Sequence, residues 1–165
     1  MPDSSLGPDR PYRTAGPDGA AAPGGPASES GAAAADTLRL HASAPPRATV
    51  GRPLVVDLRV ENVAGRALDL YLRGREPAVD LIVRDGGGRL VRRTLDHASI
   101  PAILRLETLA PGASLTLRVT WDGLIGGVAA APGVYTLTAE LLTETGRLRF
   151  PPVRVERVAA RPGRS

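Results

Sequence analysis

Cysteine and lysine are both missing from this chain of 165 residues; all 21 of its basic side chains are arginine. Without cysteine there is no disulfide brace, no zinc–thiolate cluster, no lipid-anchoring cysteine and no thiol nucleophile, which suits a reducing compartment. Without lysine there is no Schiff-base chemistry and no lysine general base. Histidine occurs only at His41 and His97, so a histidine-rich metal site is not available. Aromatic residues make up 3% of the chain, so a core has to be assembled from Leu, Val, Ile and Ala. No apolar run approaches the roughly 20 residues of a membrane-spanning helix. The opening Met-Pro-Asp-Ser-Ser-Leu-Gly-Pro has neither a basic nor an apolar stretch, unlike a secretory signal. These absences lead us to expect a cytoplasmic protein with no membrane partner, no cofactor and no metal; the sequence leaves an upstream export segment open.

What is present is first of all arginine. Arginine grips phosphate bidentately, which raises nucleic acid as a partner. A GC-rich bacterial genome explains the bias better, since its codons also favour the Ala, Gly and Pro that fill this chain. The net charge is +4, and Arg59, Arg84, Arg118 and Arg154 are interleaved with Asp57, Glu61, Asp80 and Glu156 at positions read as outward-facing. A mixed-sign surface supports solubility and makes a poor phosphate track. No nucleic-acid partner is expected, and the chain is read as a monomer.

Residues 1–36 are mainly Pro, Gly, Ala, Ser and Asp with almost no large apolar side chain. Nothing there offsets the entropy of ordering, so the segment reads as a disordered tail. A solvated leader is the simpler reading and a docking tail the alternative. Residues 159–165 read as a second, short tail. The stretch 37–158 between them reads as one β domain, because apolar residues recur with a period of two and turns punctuate them. Leu38, Leu40 and Ala42 open the series. Leu54, Val56, Leu58 and Val60 follow, then Leu68, Leu70 and Leu72, then Val79, Leu81 and Val83. Asp85-Gly86-Gly87-Gly88 is a hairpin turn leading to a strand over 90–95, and another strand covers 103–108. Leu115, Leu117, Val119 and Trp121 form a seventh, Tyr135, Leu137, Ala139 and Leu141 an eighth, and 148–158 a last strand broken at Pro151-Pro152, which argues an edge or a bulge. No helical period persists. The pattern predicts an all-β fold, an immunoglobulin-like antiparallel β-sandwich of about eight to nine strands, with a closed barrel as the runner-up. Trp121 is expected to anchor its core.

Residue groups that suggest chemistry have plainer readings. Asp96-His97-Ala98-Ser99 contains the three residue types of a catalytic triad, but adjacent residues do not align acid, base and nucleophile; a turn is expected instead. Asp80, Asp85 and Asp122 could bind calcium weakly, yet Asp85 opens a hairpin and Asp122 before Gly123 reads as an Asx turn. Gly86 to Gly88 is no phosphate loop, because neither Gly-Lys-Ser/Thr nor a helix follows. No catalytic residue is assigned, and no enzyme activity is expected.

The stretch 109–137 carries the clearest signature. It reads Leu-Ala-Pro-Gly-Ala-Ser-Leu before Trp121-Asp122, then Pro132-Gly133-Val134-Tyr135-Thr136-Leu137, so that Pro111-Gly112 and Pro132-Gly133 each launch an alternating strand. Upstream lie Leu58, Val60 and Asn62 in an L-x-V-x-N strand, then Pro77, Val79, Asp80 and Val83, and the hairpin Asp85 to Val91. In their order and spacing these pieces resemble the intracellular proteinase inhibitor family of the BsuPI type, over about 54–142. The resemblance implies an immunoglobulin-like domain that inhibits an intracellular serine protease. The chain departs from the pattern at Arg92, where the family usually has tryptophan after Val91, and in the aliphatic residues before the hairpin. Both departures bear on an aromatic contact surface rather than on the fold. Pro-Gly-x-Tyr also recurs in bacterial immunoglobulin-like modules of the flagellar hook-capping type.

The segment from Asp122 to Pro132 is longer than a hairpin connection needs and contains the apolar pair Leu124 and Ile125. As recognition residues, these two would enter a protease subsite or a partner's groove. As structural residues, Leu124, Ile125 and Val128 would fold back over the end of the sandwich. The structural reading is preferred, with Leu124 packed and 126–130 mobile, because Gly126-Gly127 loosens a loop and tight inhibition needs preorganisation. The expected function is therefore a non-enzymatic protein that occludes a serine protease through loops at one sandwich end. The alternative is a protein-interaction or structural module without inhibitory activity.

Overall fold

A computed structural model describes residues 37–163. The tail expected over 1–36 and the last two residues lie outside the described residues. Alternation of Leu54, Val56, Leu58 and Val60 gives strand β3 (Leu54–Asn62) one apolar face, and all four side chains are buried. It pairs antiparallel with β1 (Leu38–Ser43) on one side and β8 (Ser114–Trp121) on the other, forming a sheet of order β1-β3-β8. A second sheet runs β2 (Arg47–Thr49), β13 (Val153–Val158), β11 (Gly133–Leu142), β5 (Val79–Arg84) and β6 (Leu90–Arg93), with β12 (Arg147–Arg149) also paired to β11. A ribbon of β4 (Leu68–Arg73) and β7 (Leu104–Leu109) joins the end of β11 through a bridge between Leu72 and Thr143. The hairpin of β9 (Leu124–Ile125) and β10 (Val128–Ala129) completes the described residues.

The two larger sheets face each other as an immunoglobulin-like β-sandwich. Leu54, Val56, Leu58 and Val60 of β3, Trp121 of β8, Leu81 and Val83 of β5, Leu137 and Leu141 of β11, and Val155 of β13 form one buried core. The described residues contain thirteen strands rather than eight or nine. The additional ones are short: β2, β9 and β10, plus the split of the last strand into β12 and β13 at Pro151-Pro152. These prolines lie between two stretches that both pair with β11, and β13 is flanked on its other side by β2, so it is an interior strand. The β2–β13 pairing is parallel, the one departure from antiparallel order among the described pairings. Phe150, next to the prolines, is buried, and its N–H bonds Ala139 O at 2.9 Å.

One outward assignment is corrected. Asp80 lies on the face of β5 away from the core, but its side chain is only 3% exposed. Leu95, Asp96, Ala98 and Ile100 lie beside Asp80 and Leu142 on that face, where Ile82, Thr138 and Leu142 are buried too. The Asp80 carboxylate accepts from Arg93 Nη2 at 2.6 Å, from Arg147 Nη1 at 3.3 Å and from the Leu95 N–H at 3.1 Å. It therefore holds the neighbouring segment by charge-assisted bonds.

The end of the sandwich carrying Pro111-Gly112 is tied together by Asn62, which is fully buried. Its amide nitrogen donates to Arg66 O and Leu109 O, its side-chain oxygen accepts from the Ala64 N–H, and its main-chain carbonyl accepts from the Gly112 N–H. Gly112 takes φ +77°, which glycine adopts without strain.

Candidate functional site

The opposite end of the sandwich carries the segment 122–132, and the structure explains its length. It is a hairpin in its own right rather than a loose connection. Ile125 pairs with Val128 across Gly126-Gly127, and Leu124 pairs with Ala129. Both glycines have positive φ, +59° and +80°, as the two central residues of a type I′ turn require. The glycine pair that suggested looseness in the sequence supplies the turn that closes the hairpin.

The foot of the hairpin is anchored bond by bond. The Asp122 carboxylate accepts from the Leu124 N–H at 2.9 Å, forming the Asx turn. The Ala130 N–H donates to Gly123 O at 2.8 Å, and Ala130 is buried. Trp121, also fully buried, donates its indole N–H to Leu124 O at 3.0 Å. The Tyr135 hydroxyl donates to Ala131 O at 2.8 Å, and the Tyr135 ring meets Trp121 edge-on at 5.6 Å. Trp121 and Tyr135 thus serve the core with their rings and the hairpin with their polar atoms.

Arg157 lies on the other side of the indole. It takes an inward position of β13 and is 1% exposed, with its guanidinium 4.9 Å from the Trp121 ring centroid. Its Nη2 donates to Arg52 O at 2.8 Å, while Nε and Nη1 have no hydrogen-bond partner. Burial pushes its pKa below the usual arginine range, opposed in part by Tyr135. Gly123 rests directly on this side chain. A Cβ there would collide with Arg157 Nη2 and lie 2.9 Å from Arg52 O, and the backbone sits at φ +80°. Arg92, the departure from the inhibitor pattern, pairs with Val83 in register and reaches to 3.8 Å from Asp122. A charged side chain therefore stands beside the hairpin's foot.

Leu124 and Ile125 are both half-buried, and Ile125 packs against the core. Val128, expected to fold back with them, does not: it is 69% exposed at the tip. The structural residues Trp121, Tyr135, Pro132 and Gly133 belong to this end, and Pro111 and Gly112 to the other. The backbone bonds from the Asp96 N–H to Arg93 O and from the Ala98 N–H to Leu95 O close turns over 93–96 and 95–98 rather than one over Asp96 to Ser99, and the His97 side chain is 94% exposed. Among the described residues, no three His, Cys, Asp or Glu side chains are grouped to hold a metal ion. Sequence reasoning missed Arg157. An arginine in the inward register of an otherwise apolar strand (Val153, Val155, Arg157) was the available signal.

No family model and no curated protein matches the chain. Solved structures with a related strand arrangement include an alkylpurine DNA glycosylase from Pseudomonas fluorescens bound to DNA containing an abasic site analog, at 16% identity and TM-score 0.43. A β-glucosidase from Listeria innocua in complex with isofagomine gives 15% and 0.43. The alignments cover 74% of this chain in both cases but only 31% of the glycosylase and 16% of the glucosidase. A CARDB domain from Pyrococcus furiosus in complex with di-metal ions gives 13% identity and TM-score 0.40, covering 76% of this chain and 90% of that domain.

Proposed function

We propose that this chain is a non-enzymatic protein-binding module that engages its partner through the β9–β10 hairpin. In the form implied by the resemblance to BsuPI-type inhibitors, the partner is a serine protease that the hairpin occludes. One observation carries this reading: the hairpin is braced from below by Trp121, Tyr135 and Ala130 and presents Val128 at a closed turn. A braced contact element loses less entropy on binding than a loose loop.

The interaction module without inhibitory activity is supported by the pairing inside the hairpin. The backbone groups of Ile125 and Val128 are directed to one another, so the tip does not offer an extended strand for a protease cleft to pair with.

Titration of the purified chain against subtilisin-type proteases separates the two. Inhibition at micromolar concentration that is lost in Val128→Asp, with an unchanged melting temperature, supports occlusion through the hairpin. Digestion of the chain without inhibition removes the protease reading. Ile125→Ser provides the contrast: packed on the core, it is expected to lower stability by about 1–2 kcal/mol. A partner that binds Val128→Asp as well as the parent would overturn the hairpin reading altogether.

A further inference from the structure

The sandwich is unevenly closed. The inward residues of β3 are almost completely buried, whereas Leu115, Leu117 and Val119, which share their sheet face one strand further out, are only half-buried. The cause is positional: β8 ends the order β1-β3-β8 and pairs with β3 alone. Among the described residues, its other edge has no strand partner over its eight residues.

Exposed edges invite pairing, and proteins blunt them with short strands, charges or proline. The other edges of the two larger sheets follow that rule. β2 and β12 are three residues long, β6 is four residues with Arg92 and Arg93, and β1 carries Arg39 and His41. β8, Ser-Leu-Thr-Leu-Arg-Val-Thr-Trp, is eight residues long, has no proline and carries a single charge. Its one charge, Arg118, is already held by Asp57 at 2.8 Å.

We propose that β8 is the dimerisation strand of this protein, pairing antiparallel with β8 of a second copy. A two-fold axis at Leu117 sets the register. Leu117 then faces its own copy, Leu115 faces Val119 and Thr116 faces Arg118, so inward residues meet inward ones and no like charges are opposed. The contact is self-complementary, as a two-fold interface requires. It joins two three-stranded sheets into one continuous six-stranded sheet and completes the cover over Leu115, Leu117 and Val119. This surface is separate from the β9–β10 hairpin, and the inference does not depend on the proposed function.

The cysteine-free chain permits a direct test on the full-length protein. Residues opposed in an antiparallel pair lie about 4.5–5.5 Å apart at Cα, within disulfide reach. Leu117→Cys should form a covalent dimer on mild oxidation. Val119→Cys should not, because its own counterpart lies about 13 Å away in this register. Thr116→Glu, on the exposed face opposite Arg118, should tighten dimerisation on the order of 10-fold in analytical ultracentrifugation, and Thr116→Arg should weaken it comparably. Far-UV circular dichroism of each variant confirms that the fold is retained. A parent chain that remains monomeric at a few hundred micromolar overturns the proposal. So does equal cross-linking at Val119. Slow hydrogen exchange along 114–121 in a monomeric chain would mean that another segment of the same chain covers the edge, and would also overturn it.

Discussion

Asn62 shows how much of this sandwich one polar side chain organises. From the sequence it is the last residue of an L-x-V-x-N strand and the start of a turn, and nothing in that pattern distinguishes a surface asparagine from a buried one. In the structure it is fully buried and bonds the turn after β3 and the end of β7, while its main chain holds the Pro111-Gly112 turn. Asn62→Ala strands buried backbone groups in both segments and is expected to cost about 2–4 kcal/mol, measured by urea unfolding. Arg157 is the opposite case, a charge buried without a carboxylate. Replacing such a group with an apolar one of similar shape is often neutral or stabilising, whereas removing its volume is not. Arg157→Met is therefore expected to lie within about 1 kcal/mol of the parent stability, and Arg157→Ala to lose about 3–5 kcal/mol with a red shift of Trp121 emission. The sign of the pH dependence follows from the depressed pKa. The penalty for holding this cation is fully present below the folded-state pKa and is relieved only as pH rises towards the unfolded value. Arginine stays protonated in proteins across neutrality, so the stability of each variant relative to the parent should not change from pH 6 to 8.

At the scale of elements, the long alternating strands were the legible part, and the reason is burial. β3 and β11 have one face in the core, so their apolar period of two is written directly into the sequence. The short elements were not legible, because two or three residues carry no period. β2 lies between Pro45-Pro46 and Gly51-Arg52-Pro53, where three residues show no alternation; its pairing is imposed by β13 from late in the chain. The β9–β10 hairpin failed for a different reason. Gly-Gly was read as looseness, although two adjacent glycines are also what a type I′ turn needs, and only the pairing of Ile125 with Val128 decides between the two. Val128 is 69% exposed although it shares a face of the hairpin with Ile125, which packs against the core. Asp80 was misplaced because a period of two identifies the face of a sheet but not what covers it. The residues beside Asp80, within 95–100, have no repeating pattern to betray them.

At the scale of the whole molecule, the sandwich depends on contacts between its two ends in sequence. β13 lies inside the second sheet between β2 and β11, with Val155 in the core and Arg157 beneath Trp121. The Glu156 N–H bonds Pro46 O, the Val50 N–H bonds Val158 O, and Arg47 pairs with Glu156 at 2.9 Å. Residues 159–163 lie beyond these contacts, exposed and without regular structure. A chain ending at Val158 should therefore keep the parent melting temperature within a degree or two. A chain ending at Pro152 loses an interior strand, leaves the β11 and β2 edges unpaired and removes the support for the hairpin foot. It should fail to fold cooperatively, with no unfolding transition in circular dichroism and Trp121 emission close to that of free tryptophan. A cooperative transition in that shorter chain would mean that the first sheet and β11 form a core without β13, and that the last strand docks on a sandwich already made.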